Sequence, residues 1–339
     1  MKKFSVFLSL IVIILVVIAY LYKHNEADYP QVVNVYSSRK EELVRTLFEE
    51  FTKSTGIKVR YIIDDYSQLL SRIETGGGAD VFLTADAVNL ILAKKRGLLS
   101  PVDSEILNSA IPIRFKDSEN YWFGLTKRTR ILVYNKELVN PKDLSTYEDL
   151  ASEKWKGKIL VRSSTSPYNR SLIAFMVANN GFEKTKEWAK GIVNNMARKP
   201  SGGDVDQINA VAAGEGGIAI VNSYYFARSL YENKKNISKL GIFFPNQNGK
   251  GVMVNVSGAA VVKNAKNRQN AIALLEFLAS KQAQELYAKK NQEYPVVEGV
   301  EVSDILNSWG NYLQSDLPLN ELEKYLFKAV MIADECGWK

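Results

Sequence analysis

The stretch QVVNVYSSRKEELVRTLFEEFTKSTGIKVRYII, residues 31–63, decides the fold because its hydrophobic pattern changes period twice. Residues 31–36 and 57–63 have the composition of strands, whereas apolar side chains recur at helical spacing between residues 43 and 51. A strand, a helix and a second strand in this order predict two parallel strands with the helix packed on their sheet.

The same alternation continues through the chain. It predicts strands at 80–84, 130–135, 158–161, 217–221 and 252–262, and helices at 66–73, 86–97, 170–179, 183–197, 204–213, 267–290 and 319–335. Two of the helix starts carry the capping-box pattern, Ser38 with Glu41 and Asp204 with Gln207.

This order predicts an α/β protein of two lobes, each a mostly parallel sheet flanked by helices. The chain is expected to cross between the lobes near residues 125–131 and again near 245–256. One lobe then comprises residues 30–127 and 247–300; the other comprises 128–246 and 301–339, with the C-terminal helices. Because ligands favour such interfaces and the carboxyl ends of strands, we expect a ligand cleft between the lobes.

The first 24 residues differ from the rest. Lys2 and Lys3 precede an apolar run from residue 4 to residue 22, which predicts a signal peptide or an uncleaved N-terminal membrane anchor. In either case the body is exported. We expect a periplasmic protein, soluble if the leader is cleaved and otherwise anchored to the inner membrane.

Histidine and cysteine usage excludes several kinds of site. The one histidine, His24, lies in or just after the leader, and the one cysteine is Cys336. The body therefore cannot contain a Ser-His-Asp or Cys-His catalytic pair, a histidine-ligated zinc or an internal disulfide. Any bound metal must be held by oxygen.

The net charge is +7, and removal of residues 1–24 takes away three lysines and leaves +4. This mild excess favours an anionic ligand or partner. It does not indicate the basic stripe that nucleic-acid binding requires.

Tyrosines are the candidate ligands. Tyr224 and Tyr225 lie side by side where a predicted strand meets a helix, and Tyr168 follows the strand at 158–161. Each tyrosine taken alone is more often a packed ring than a ligand. Three phenolates together would neutralise Fe³⁺, because a bound cation can displace the phenol proton. Tyr36 is a weaker candidate that we expect to pack beneath the cleft.

A small anion such as carbonate could fill the remaining positions around the metal. Arg39 and Arg128 are candidates to hold it, because the planar guanidinium fork matches a planar oxyanion. Arg130 alternates with Arg128 along a strand and therefore points the other way; we expect it in a surface ion pair.

The sequence resembles the ferric-ion binding proteins of bacterial ABC-type iron importers, which are periplasmic, two-lobed and related in fold to the transferrins. The matching segments span nearly the whole body: VNVYSSR at 33–39, ADVFLTAD at 79–86, WFGLTKRTRILVYN at 122–135, KGKILVRSS at 156–164, YNRSLIA at 168–174, ARKPSGGDVDQINAVAAGE at 197–215, NSYY at 222–225, VSGAAV at 256–261 and EYPVVEGV at 293–300.

This resemblance implies residue roles. Tyr168, Tyr224 and Tyr225 match the family's iron-binding tyrosines, and Arg39 and Arg128 match arginines that hold the synergistic anion in some members.

The sequence departs from the family pattern at two places. Lys40 and Glu41 stand where many members have His-Tyr, and Ala85 stands where some have a glutamate ligand. The resemblance therefore implies the subgroup that uses three tyrosines and carbonate.

We expect a monomer that captures Fe³⁺ and delivers it to an ABC permease and its ATPase at the inner membrane, without turnover. Two alternatives stay open. A binding protein of the same fold could take an oxyanion or a polyamine, and an enzyme could be built on this fold.

Overall fold

The computed structural model describes residues 31–339; the predicted leader at 1–24 lies outside this range. Within the described range, no helix is both long and apolar enough to cross a membrane.

The strands of the described residues are β1 (Val32–Ser37), β2 (Lys58–Ile63), β3 (Val81–Thr84), β4 (Leu99–Ser100), β5 (Phe123–Asn135), β6 (Ile159–Leu160), β7 (Ile218–Asn222), β8 (Leu240–Phe243), β9 (Val254–Val262) and β10 (Tyr294–Pro295). The α-helices of the same residues are α1 (Arg45–Thr55), α2 (Tyr66–Glu74), α3 (Ala87–Lys95), α4 (Glu105–Ala110), α5 (Pro167–Asn180), α6 (Phe182–Asn194), α7 (Asp204–Ala213), α8 (Ser223–Tyr231), α9 (Arg268–Ala279), α10 (Lys281–Lys289), α11 (Asp304–Ser308), α12 (Leu319–Lys324) and α13 (Leu326–Cys336). Short 3₁₀ turns connect them, including Glu41–Leu43.

The strands form one curled sheet in the order β2-β1-β3-β9-β5-β7-β6, with β4 paired to β9 and with β8 and β10 paired to β5. The outer pairings of β1 with β2 and β3, and of β6 with β7, are parallel as predicted. The sheet as a whole is mixed, because β5 and β9 run antiparallel to their neighbours.

Strand β5 belongs to both lobes. Its first part pairs with β9 as far as Thr129, and its second part pairs with β7 from Arg130 onwards. Each part is buried in a separate sheet region, and the long strand joins the two. Near the C-terminus, the Trp338 indole Nε1–H donates to the Arg162 carbonyl at 3.1 Å and so holds the last residues on the second lobe.

Neither predicted capping box forms as expected. After β1 the chain enters the 3₁₀ turn Glu41–Leu43 without a side-chain cap, and the Ser38 hydroxyl instead accepts from the Ala85 N–H at 3.3 Å. The cap of helix α7 is Gly203, one residue before the predicted cap Asp204, and the Asp206 carboxylate accepts from the Gly203 N–H at 2.6 Å. Asp204 therefore does not cap the helix, and its carboxylate is buried and pairs with Arg130.

Candidate metal centre

A cavity of about 730 Å³ opens between the lobes, at the carboxyl ends of β1, β3, β6 and β7. Loops at these strand ends meet there, because the carboxyl ends of parallel strands share an edge of the sheet. The cavity wall includes five of the six predicted site residues: Tyr168, Tyr224, Tyr225, Arg39 and Arg128.

Two helix starts position the tyrosines. Helix α8 begins directly after β7, which puts Tyr224 and Tyr225 in its first turn. Helix α5 begins at Pro167 with Ser166 as its cap, and the Ser166 hydroxyl accepts from the Tyr168 N–H at 3.3 Å. The hydroxyls of Tyr168 and Tyr224 lie 3.4 Å apart, and the rings of Tyr224 and Tyr225 lie 4.1 Å apart between centroids.

Burial keeps two of these phenols neutral. It raises the pKa of Tyr224 well above the usual value, and the nearby Tyr168 and Tyr225 hydroxyls add to the shift. Burial also raises the pKa of Tyr225, again with a contribution from Tyr168. Without a cation the hydroxyls therefore hold their protons at neutral pH, and a strongly charged cation would have to displace them.

The two predicted anion-binding arginines line the cavity, and each already has a carboxylate partner. Arg39 Nη2 lies 2.6 Å from Glu293 Oε2, and its Nη1 donates to the Ser257 hydroxyl. Arg128 Nη2 donates to Asp86 Oδ2 at 3.1 Å. These pairs fix both guanidiniums in place and leave their remaining donors for an anion in the cavity.

Tyr36 does not line the cavity. It is buried in the core of the first lobe, and its hydroxyl donates to the Gly77 carbonyl. The ring of Tyr36 is therefore packed in the protein interior.

Arg130 is buried, not at the surface as predicted. Its Nη1 donates to Asp204 Oδ2 at 2.8 Å, and its Nη2 donates to Asn169 Oδ1 at 2.7 Å. The same Asp204 oxygen accepts from the Asn222 N–H at 2.7 Å. Arg130 is buried because α5 and α7 cover its face of β5, so the residue that alternates with Arg128 also points into packed protein.

Arg162 was not predicted and lies on the cavity wall. Its guanidinium carbon lies 5.3 Å from the Tyr168 ring centroid, the same distance as that of Arg128. Its Nη1 contacts Asp204 Oδ1 at 3.4 Å. Its position directly after the strand predicted at 158–161, at that strand's carboxyl end, was the sequence signal that could have identified it.

The donor set suits a hard, highly charged cation. Among residues 31–339, no group of three or more His, Cys, Asp or Glu side chains could hold a metal ion. The phenol oxygens of the three tyrosines meet in the cavity, and a trivalent cation prefers such oxygens once they are deprotonated. Two carboxylates of the wall, Glu293 and Asp204, are paired with arginines.

Comparison with known proteins agrees with the fold and the cleft. The model of the bacterial extracellular solute-binding protein family matches residues 37–285, and the chain belongs to this family. Its two lobes and central cleft are those of the type 2 periplasmic-binding-protein fold.

Three relatives illustrate the similarity. The iron uptake protein A1 of Synechocystis sp. is 44% identical over 323 residues, which cover 92% of this chain and 90% of that protein. The structure of Trichodesmium IdiA (FutA) in complex with iron and citrate is 45% identical, with a TM-score of 0.84 over 91% of this chain and 100% of that one. The ferric binding protein of Campylobacter jejuni is 38% identical, with a TM-score of 0.86 and the same coverage.

Proposed function

We propose that this protein captures ferric iron, as its relatives are named for doing, in the cleft between its lobes. The observation that carries the proposal is the convergence of Tyr168, Tyr224 and Tyr225 on one cavity. The three phenolates would supply three negative charges to Fe³⁺, so the filled site would be close to neutral.

We propose that Arg39 and Arg128 hold a small synergistic anion, such as carbonate, beside the metal. Their paired carboxylates keep the guanidiniums rigid, so the anion would meet donors already in place. The iron and citrate bound in the Trichodesmium relative agree with an anion beside the metal in this class of protein.

We propose that the protein is exported and that it binds its cargo without turnover. It would present the loaded, closed form to an ABC permease and its ATPase, as members of the family work with such importers. We propose the lobe boundaries given by the sequence, 30–127 with 247–300 and 128–246 with 301–339. The first boundary lies two residues before the point where β5 changes partners, between Thr129 and Arg130.

The charges of the cavity wall argue against a polyamine as the cargo. A polyamine needs free carboxylates for its ammonium groups, whereas Glu293 and Asp204 on the wall are already paired with arginines: Arg39, Arg130 and Arg162. An oxyanion alone would suit these cations but would leave three converging phenols without a role.

Equilibrium dialysis with radioactive ferric iron, supplied as a weak chelate with bicarbonate, tests the proposal. We expect the wild-type chain to retain one iron and the Tyr224→Phe/Tyr225→Phe variant to lose at least a hundredfold in affinity, since two of three anionic ligands are gone, about 2.7 kcal/mol or more. Tyr231→Phe is the matched control, because Tyr231 lies on the same helix and is exposed. Equal retention by the double variant and the control would contradict the proposal, and retention of a free oxyanion without iron would favour the alternative.

A further inference from the structure

A short segment after β1 reaches across the cleft to the helix that carries the tyrosine pair. We call residues 40–43 the clasp segment. Glu42 Oε1 lies 3.2 Å from Arg228 Nη1, and Arg228 is on α8, three residues after Tyr225. Lys40 Nζ lies 6.0 Å from the Tyr225 ring centroid.

The third contact is apolar. Leu43 is buried in a hydrophobic cluster with Tyr224 and Tyr225. Every other buried member of that cluster, within the described part of the chain, comes from residues 131–240. Leu43 therefore contributes to the core of the opposite lobe, and the clasp segment contacts α8 by a charge pair, a ring contact and a buried side chain.

The clasp segment is also held in its own lobe. The Leu43 carbonyl accepts from Asn291 Nδ2 at 2.8 Å, and Glu41 Oε1 accepts from the Tyr61 hydroxyl at 2.9 Å. A segment fixed on one side and bonded to α8 on the other ties the position of α8 to the first lobe.

These contacts favour the arrangement in which the lobes meet. An exposed ion pair contributes little to the stability of a fold. It has a larger consequence here, because a contact present in only one of two lobe arrangements shifts their populations by its full free energy. A metal enclosed by both lobes leaves when they separate, so the same contact slows its loss.

We infer that Glu42 and Lys40 are positioning residues, which hold the tyrosine-bearing helix α8 against the opposite lobe and thereby slow the release of bound cargo. This inference rests on the proposed function only for the identity of the cargo. Glu42 acts through Arg228 and Lys40 through the ring of Tyr225; neither is required to touch the metal.

Release of iron from the loaded protein to an excess of a strong chelator, followed by the loss of its visible colour, tests the inference. We expect Glu42→Gln to release iron about two- to fivefold faster than the wild type, the range that one exposed ion pair supports. The position and shape of the colour band should not change, because the metal ligands are intact. Lys40→Gln should also accelerate release.

The chain offers a closely matched control. Arg228 has a second carboxylate partner, Glu232, at 3.4 Å on the same helix. Glu232→Gln removes a pair from Arg228 without removing a contact across the cleft, so its release rate should match the wild type. The charge exchange Glu42→Arg/Arg228→Glu should restore slow release.

Small-angle X-ray scattering of the metal-free chain separates the two proposals. If Glu42→Gln gives the same scattering and the same iron release rate as Glu232→Gln, the inference about the clasp segment is overturned, while the proposal of iron binding stands. If the wild type takes up no iron but Glu42→Gln is more extended than Glu232→Gln, the inference about the clasp segment stands and iron is the wrong cargo.

Discussion

The single residues of the site are ordinary; their placement gives them their chemistry. A phenol that loses water through burial holds its proton more tightly, as Tyr224 and Tyr225 do here. Such a group is a poor ligand for a weak cation and a good one for a cation whose charge displaces the proton. The proposed site would therefore select its cation first by the charge of that cation and then by its size.

Proton release measures this property directly. Because the pKa of Tyr224 and of Tyr225 is raised, both protons are present near neutral pH and must leave when iron binds, so affinity rises with pH and falls on acidification. We expect Tyr224→Phe to release one proton fewer per bound iron than the wild type in weakly buffered solution with a pH indicator. Tyr231→Phe should match the wild type; equal release by all three would exclude Tyr224 as a proton-bearing ligand.

The sequence could indicate the tyrosines but not the partners of the arginines. A pair of tyrosines at a strand end is a local pattern, and the fold brought both rings to the cavity. Glu293, the partner of Arg39, lies 254 positions further along the chain. No local pattern predicts such a contact. It forms because β10 pairs with β5, which brings Glu293, the residue before β10, close to Arg39 after β1.

At the scale of the elements, helix starts decide where the site residues point. The capping prediction placed Asp204 at the cap of α7, whereas Gly203 and Asp206 form that start and Asp204 turns inward. Periodicity located the helix correctly. Its cap, however, is Gly203 and not Asp204, and this one-residue shift changed the role of Asp204. Either Asp204 or Asp206 could bond the backbone at this helix start. The Asp204 carboxylate pairs with Arg130, and Asp206 accepts from the Gly203 N–H.

Removal of the Asp204 carboxylate tests this role. Asp204→Ala leaves the Arg130 guanidinium buried without its carboxylate, and we expect the free energy of unfolding to fall by about 3–5 kcal/mol. Urea denaturation followed by tryptophan fluorescence measures it.

Glu49→Ala is the control, because Glu49 forms an exposed pair with Arg45 and should change stability by less than about 1 kcal/mol. A similar small change for both variants would show that the Asp204 network is not a structural support of the tyrosine helices.

At the scale of the whole molecule, β5 joins the two lobes, and the cavity lies between them. The alternation of strands and helices predicted the two-lobed α/β fold, because each βαβ unit is a local pattern; the positions of the two crossings stay a prediction. The antiparallel pairings of β5 and β9 could not be predicted from the sequence in the same way, because strand direction there depends on how distant segments pair. We propose that a hinge where the chain crosses between the lobes would let them enclose a ligand.

The most direct test of the account is the visible absorption spectrum of the metal-free protein titrated with ferric iron in the presence of bicarbonate. Phenolate bound to Fe³⁺ gives a charge-transfer band that no other ligand set in this cavity would give. The account predicts a coloured protein whose band saturates at one iron per chain. Iron bound tightly without such a band, or no saturable colour at all, would contradict the assignment of Tyr168, Tyr224 and Tyr225 as ligands.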